Sequence, residues 1–232
     1  MIPLHDDNPT RITPWVTIGL IVTNVLVFFW QLSLGKRVEL AVYSLGMIPA
    51  VVFGDAQLPP QLQVVPEGMT IFTSMFLHGG WGHLIGNMLY LWIFGNNIED
   101  AMGHGRFIVF YLLCGVMAVL AQALPNPEST IPMIGASGAI SGVLGAYLLL
   151  YPHARVLVGI PFGFYLHTMY IPAGMVLAFW FLLQLISSAA SAGSTGGGVA
   201  FGAHIGGFVA GMAFIPFFRY PHLKLWPPKP PH

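Results

Sequence analysis

The sequence predicts an all-α, polytopic membrane protein with six transmembrane helices. Three observations carry that prediction. The first is composition: 56% of the 232 residues are hydrophobic and only 7% are charged, where a soluble domain carries about 25% charged residues. A chain so poor in charge cannot cover a water-facing surface. The second is that the apolar residues gather into six stretches, each near the roughly 17–25 residues that span a bilayer. The third is an excess of basic residues on one side of those stretches, which gives them a direction.

Taken in order, residues 1–15 form an arm, "MIPLHDDNPTRITPW". It carries two aspartates and an arginine, and no small-residue cleavage site follows the next apolar run. Span 1, Val16 to Leu32, therefore reads as a retained anchor rather than a signal peptide. The connection over 33–80 is long, and its "YSLGMIPAVVFG" is apolar enough to lie in the membrane interface. Span 2 runs from Trp81 to Ile98 and span 3 from Phe107 to Leu124. Span 3 holds the single cysteine, Cys114, which allows no intrachain disulfide or thiolate metal site and reads as a packed small residue. Span 4 is Ile134 to Tyr151, span 5 Met169 to Ile186 and span 6 Val199 to Phe218. The 5–6 connection, "SSAASAGSTGGG", has the composition of a hinge, a lid or a plain flexible linker. The tail, 219–232, ends "WPPKPPH" and is expected to be unfolded. One membrane domain, 16–218, accounts for everything between arm and tail.

Six spans put both termini on one side, together with Arg11, Arg106, Arg155, Arg219, Lys224 and Lys229. The other side has only Lys36 and Arg37. The basic side is expected to be cytoplasmic, so spans 2, 4 and 6 start outside and run inward. Net charge is zero, which argues against a nucleic-acid partner.

Polar residues then fall at one depth. Span 2 opens with "HGGWGHLIGNM", where His83 and Asn87 share a helix face and His78 precedes the span at the interface. Span 4 opens with "GASG", placing Ser137 in its first turns, and span 6 with "FGAHIGGFVAGM", placing His204 there. All lie in the outer leaflet, very roughly 5–10 Å below its boundary for Ser137 and His204. Ionisable groups in a membrane are costly and point to function. Small residues surround them: Gly138 with Gly142, Gly202 with Gly206, and Gly207 with Gly211 are GxxxG pairs that let backbones approach. A serine nucleophile needs a base within hydrogen-bond reach and donors for the developing oxyanion. Ser137 and His204 can supply the pair, and His83 and Asn87 the donors. No Asp or Glu lies in the outer half of any span, so the pattern is a dyad rather than a triad. Ser141 lies one turn below Ser137 on the same face, and residue spacing alone leaves both serines open. No HExxH occurs, and no metal or cofactor is called for.

These residues resemble the rhomboid intramembrane serine proteases, with "HGGWGHLIGNM", "GASG" and "AHIGGFVAG" in that family's order across the six-span chain. The resemblance implies Ser137 as nucleophile and His204 as its base. It implies an oxyanion hole from His83, Asn87 and the Ser137 amide, with His78, Gly135, Gly138 and Ser141 in support. Gly135 matches the family's glycine two before the nucleophile, whereas Ala139 stands two before Ser141. Glu99 and Arg106 match polar positions to which the resemblance gives a structural role. Two positions depart from many relatives: Met69-Thr70 stands where they carry Trp-Arg, and Ser141 where several carry a tyrosine packed on the base. The resemblance implies cleavage of single-span or polytopic membrane proteins near the outer face, in a bacterial inner membrane. It places a gate for lateral substrate access along span 5, which here includes Phe179 and Trp180. A non-cleaving relative that binds transmembrane clients is the alternative, with a transporter behind it.

Overall fold

The architecture comes from a computed structural model, which describes residues 1–163, 165–191 and 200–228. Strand β1 (Ile2–Asp6) precedes α1 (Trp15–Ser33). The long connection folds as three short helices, α2 (Val38–Leu45), α3 (Pro49–Val52) and α4 (Thr70–Thr73). There follow α5 (Trp81–Tyr90), α6 (Asn96–Met102), α7 (His104–Ala123) and α8 (Ser137–Leu150). Then come β2 (Arg155–Phe162), β3 (Tyr165–Pro172), α9 (Ala173–Ser191) and α10 (Phe201–Phe218).

The protein is mainly helical, and among the described residues four helices, α1, α7, α9 and α10, are long and apolar enough to cross a membrane. The second expected span is a single helical run broken by one π-helical turn, Leu91–Gly95, between α5 and α6. The backbone stays in the right-handed helical region at Tyr90, Leu91, Gly95 and Asn96, so the helical run is continuous through that turn. The fourth expected span is a helix of only 14 residues, about 21 Å long at 1.5 Å per residue. It starts at Ser137 because Gly135 has φ +126°, a conformation that L side chains rarely adopt, and the chain turns there. Gly103, with φ +82°, makes the equally sharp turn from α6 into α7.

Helix α8 is the centre of the molecule. Its residues Gly138 to Tyr147 are all buried, against α10 on one side and α7 on another, with Phe94, Phe107, Phe110, Tyr111 and Tyr147 filling the core. Cys114 is part of that packing. Helix α1 has no side-chain cap of its own. The buried Glu99 carboxylate caps it from α6, accepting from the Val16 amide at 2.9 Å and the Thr17 amide at 2.7 Å. A carboxylate at a helix N-terminus satisfies orphan amides and opposes the helix dipole. Glu99 thus holds α1 to α6, the structural role implied for it. Arg106 reaches the Phe218 carbonyl at 3.4 Å and stacks over Tyr220.

Three expectations need correction. The chain is not all-α: β1, β2 and β3 form an antiparallel sheet in that order, with Ile2 opposite Gly159 and Phe162 opposite Tyr165. The arm is therefore a sheet strand, and its Asp6 accepts a buried hydrogen bond from the Tyr147 hydroxyl at 2.6 Å. Span 5 does not begin at Met169, because residues 169–172 belong to β3. The expected 4–5 connection holds a strand signal in Val156 and Val158, both fully buried on either side of a half-buried Leu157. Nor is the described part of the tail unfolded: the Tyr220 amide donates to Ala101, the Trp226 amide to Leu149, and Leu223 and Leu225 pack on the core. The last tail residues, 229–232, and 192–199 of the expected hinge lie outside the described residues. The "YSLGMIPAVVFG" stretch is packed, with Met47, Ile48, Ala50 and Val51 buried and Met47 bridged to Met133.

Candidate active site

Ser137 is the first residue of α8, and no side chain caps that helix. The amides of its first turn therefore point at whatever lies beside Ser137. His204 sits in the first turn of α10. The two helices bring His204 Nε2 to 2.8 Å from Ser137 Oγ. Glycine makes that possible. A Cβ on Gly207 would collide with the Gly138 carbonyl, one on Gly211 with the Gly142 carbonyl, and one on Gly145 with the Phe208 carbonyl. The backbones of α8 and α10 are in direct contact along their glycine faces. Gly138 also faces α7, where a Cβ would lie 2.6 Å from Ala118 Cβ. Its place is packing.

His83, on α5, stands across Gly135 from the serine. A Cβ at Gly135 would lie 2.7 Å from His83 Nε2 and 3.7 Å from Ser137 Oγ. Only glycine fits between them, on grounds of both space and φ. The Gly79 amide donates to His83 Nδ1 at 3.3 Å. An amide can only donate, so Nδ1 is unprotonated and the ring proton is on Nε2, the nitrogen beside Gly135. Asn87, one turn on, is buried and its Nδ2 lies 3.0 Å from His78 Nε2. That amide nitrogen has a second hydrogen to give.

His78 is buried, at 2% exposed. Its backbone exchanges hydrogen bonds with the Gln31 amide, at 2.9 and 3.2 Å, which ties α1 to the approach of α5. Its ring meets His83 edge-on at 5.1 Å. Ser141 is also buried, and its hydroxyl donates to the Ser137 carbonyl at 2.6 Å. It is spent on its own helix, whereas Ser137, His204 and His83 remain partly exposed. The two serines that residue spacing left equivalent are thus distinct.

One contact was not anticipated. Gln184 of α9 places Oε1 2.8 Å from His204 Nδ1. Trp180, one turn earlier, lays its ring beside the imidazole at 5.9 Å and 34°. The sequence resemblance places Trp180 only in a gate, and it gives Gln184 no role. The available signal was a lone amide in the apolar run "AFWFLLQLI". Among the described residues, no group of three His, Cys, Asp or Glu side chains is placed to hold a metal ion.

Known proteins share this arrangement of sequence. A model of the rhomboid domain matches residues 66–221. The mitochondrial Rhomboid protein 1 of Saccharomyces cerevisiae is 31% identical over 188 residues, covering 75% of this chain and 51% of that protein. Rhomboid protease GluP of Bacillus subtilis is 42% identical over 82 residues, 35% of this chain and 16% of that protein. The human presenilin-associated rhomboid-like protein, mitochondrial, is 27% identical over 218 residues, 92% of this chain and 50% of that protein. The chain spans about half the length, or less, of these relatives. With its apolar helices, the match makes this an integral membrane protein. The domain match covers well over half the chain, and the chain belongs to the rhomboid family.

Proposed function

We propose that this protein is an intramembrane serine endopeptidase that cuts transmembrane segments of other membrane proteins near the outer face. The observation that carries the reading is the 2.8 Å contact between Ser137 Oγ and His204 Nε2, inside a family that includes proteins named as proteases. His204 Nε2 takes the hydroxyl proton as Ser137 Oγ attacks the scissile carbonyl. The oxyanion accepts hydrogen bonds from the Ser137 amide, His83 Nε2 and the free hydrogen of Asn87 Nδ2. The protonated His204 then gives its proton to the leaving amine. Water enters, loses a proton to His204 and hydrolyses the acyl-enzyme. Gly135 keeps His83 close, and the apolar walls of α7 and α8 hold the pair rigid.

On this reading six segments span the membrane: α1, the α5–α6 run, α7, the short α8, α9 and α10. They form the domain 16–218, with the arm and tail both cytoplasmic in a bacterial inner membrane. Support comes from the two ends of α8. Ser137 starts it, whereas β2, the docked tail and, through Tyr147, the N-terminal strand gather at its far end. Substrates are single-span or polytopic membrane proteins, whose helices must unwind locally before the peptide bond is accessible. Glycine or proline near the cut lowers that cost.

The test is cleavage of a single-span reporter by purified protein in detergent. Ser137→Ala or His204→Ala is expected to lower the rate at least 10³-fold, on the order of what removing a nucleophile or base costs serine hydrolases. Undiminished cleavage by Ser137→Ala contradicts the reading.

A further inference from the structure

His204 has two ring nitrogens, and only one faces Ser137. Nε2 can accept the serine proton only if the resting ring carries its own proton on Nδ1. Dyad chemistry therefore needs something to hold that tautomer. Among the described residues, the His204 ring bonds to Ser137 and Gln184 and to no carboxylate. Glu99 is committed to the end of α1, Asp100 to the Arg11 and Ile12 amides, Asp6 to Tyr147 and Asp7 to Arg155.

Gln184 meets that need. Its Oε1 lies 2.8 Å from His204 Nδ1. Its other terminal atom, Nε2, lies 3.5 Å from the Trp180 carbonyl one turn earlier. A carbonyl can only accept, so the amide nitrogen faces Trp180 and the amide oxygen faces the imidazole. An amide oxygen accepts and cannot donate, which requires a proton on Nδ1 and leaves Nε2 bare for Ser137. Trp180 lies beside the same ring, and Phe201 meets it edge-on at 6.4 Å. The imidazole is thus fixed in plane by the aromatics and in protonation by the amide.

We propose that Gln184 is a positioning residue for the base: through the Oε1–Nδ1 contact it selects the His204 tautomer that activates Ser137. It takes the place a carboxylate holds in a triad, without the charge. A neutral acceptor orients the ring but stabilises the imidazolium less than a carboxylate does. The inference rests on the protease reading. It also ties the base to α9, the least buried of the four long apolar helices.

The experiment compares wild type, Gln184→Leu, Gln184→Glu and Ser137→Ala, each purified in detergent, on the single-span reporter. Gln184→Leu is expected to lower kcat roughly 3- to 10-fold, the worth of one ordinary hydrogen bond, with KM unchanged. Gln184→Glu keeps the acceptor and is expected to restore kcat to at least the wild-type value. The ring ¹⁵N shifts of His204, assigned against His204→Ala, are expected to report a protonated Nδ1 in the wild type and a mixture of tautomers in Gln184→Leu. A wild-type kcat and an unchanged ring spectrum in Gln184→Leu overturn the proposal. So does a Gln184→Glu variant as slow as Gln184→Leu. Loss of cleavage in Ser137→Ala alongside either result shows the protease reading intact and the positioning role wrong. Full cleavage by Ser137→Ala removes the protease reading itself.

Discussion

At the scale of single residues, His78 shows how a buried imidazole orders its neighbours. Its Nδ1 lies 3.3 Å from the Phe76 carbonyl and its Nε2 3.0 Å from Asn87 Nδ2. The carbonyl only accepts, so Nδ1 is protonated, and the bare Nε2 accepts from Asn87 and fixes its rotamer. Burial, and then the neighbouring His83, push the His78 pKa down to about 4. An unfolded histidine titrates near 6.5. Between those values the unfolded chain binds the proton and the folded chain does not. The stability contributed by neutral His78 is therefore full above about pH 6.5 and is lost as pH falls towards 4. The thermal midpoint in detergent is expected to drop between pH 7 and pH 4.5. His78→Gln, which can still accept from Asn87 but does not titrate, is expected to flatten that drop. Superposable curves for the two proteins contradict this role.

At the scale of elements, the pairing of α8 with α10 sets the site. Glycine at every turn removes the side chains that would hold the two backbones apart, and the Ser137–His204 contact depends on that approach. Gly207→Val puts a branched side chain into the Gly138 carbonyl. Overpacking of this kind costs about 1–3 kcal/mol. The variant is expected to lose most cleavage and some thermal stability. Gly19→Val, where a Cβ would meet nothing within 4 Å, is expected to keep both. A fully active Gly207→Val shows that the helix approach does not govern the site.

These elements also separate what is legible in the sequence from what is not. The glycine spacing, the serine and the histidines are local patterns on apolar helices, and the structure brings Ser137 and His204 together along the glycine faces. The end of β3, residues 169–172, adjoins α9 without a polar break, so hydropathy alone runs it into the helix. The late start of α8 depends on the φ of one glycine, a backbone choice that residue type permits but does not impose. Gln184 is an uncharged amide, and residue type alone gives it no signal: its place beside His204 comes from α9 lying against α10. The burial of His78 likewise depends on contacts distant in sequence, with Gln31 and Asn87.

At the scale of the whole molecule, polar groups are divided between the two ends of a largely apolar body. At one end Ser137, His204 and Gln184 form one hydrogen-bonded set and His78 and Asn87 another, with His83 against His78 and beside Gly135. At the other, the buried Glu99 and Asp6 carboxylates pin α1 and the N-terminal strand to the core. In the first group Ser137, His83 and His204 are partly exposed, and His78 and Asn87 are buried beneath them. The second is closed and structural. Ser137 starts α8, and Asp6 is bonded to Tyr147 near the other end of that helix. The proposed function requires that one hydroxyl of this body, Ser137, be a nucleophile made reactive by His204. Labelling the purified protein with a fluorophosphonate and locating the adduct by mass spectrometry tests this most directly. A single adduct on Ser137, absent from His204→Ala, is expected. An adduct on Ser141, or labelling undiminished in His204→Ala, contradicts it.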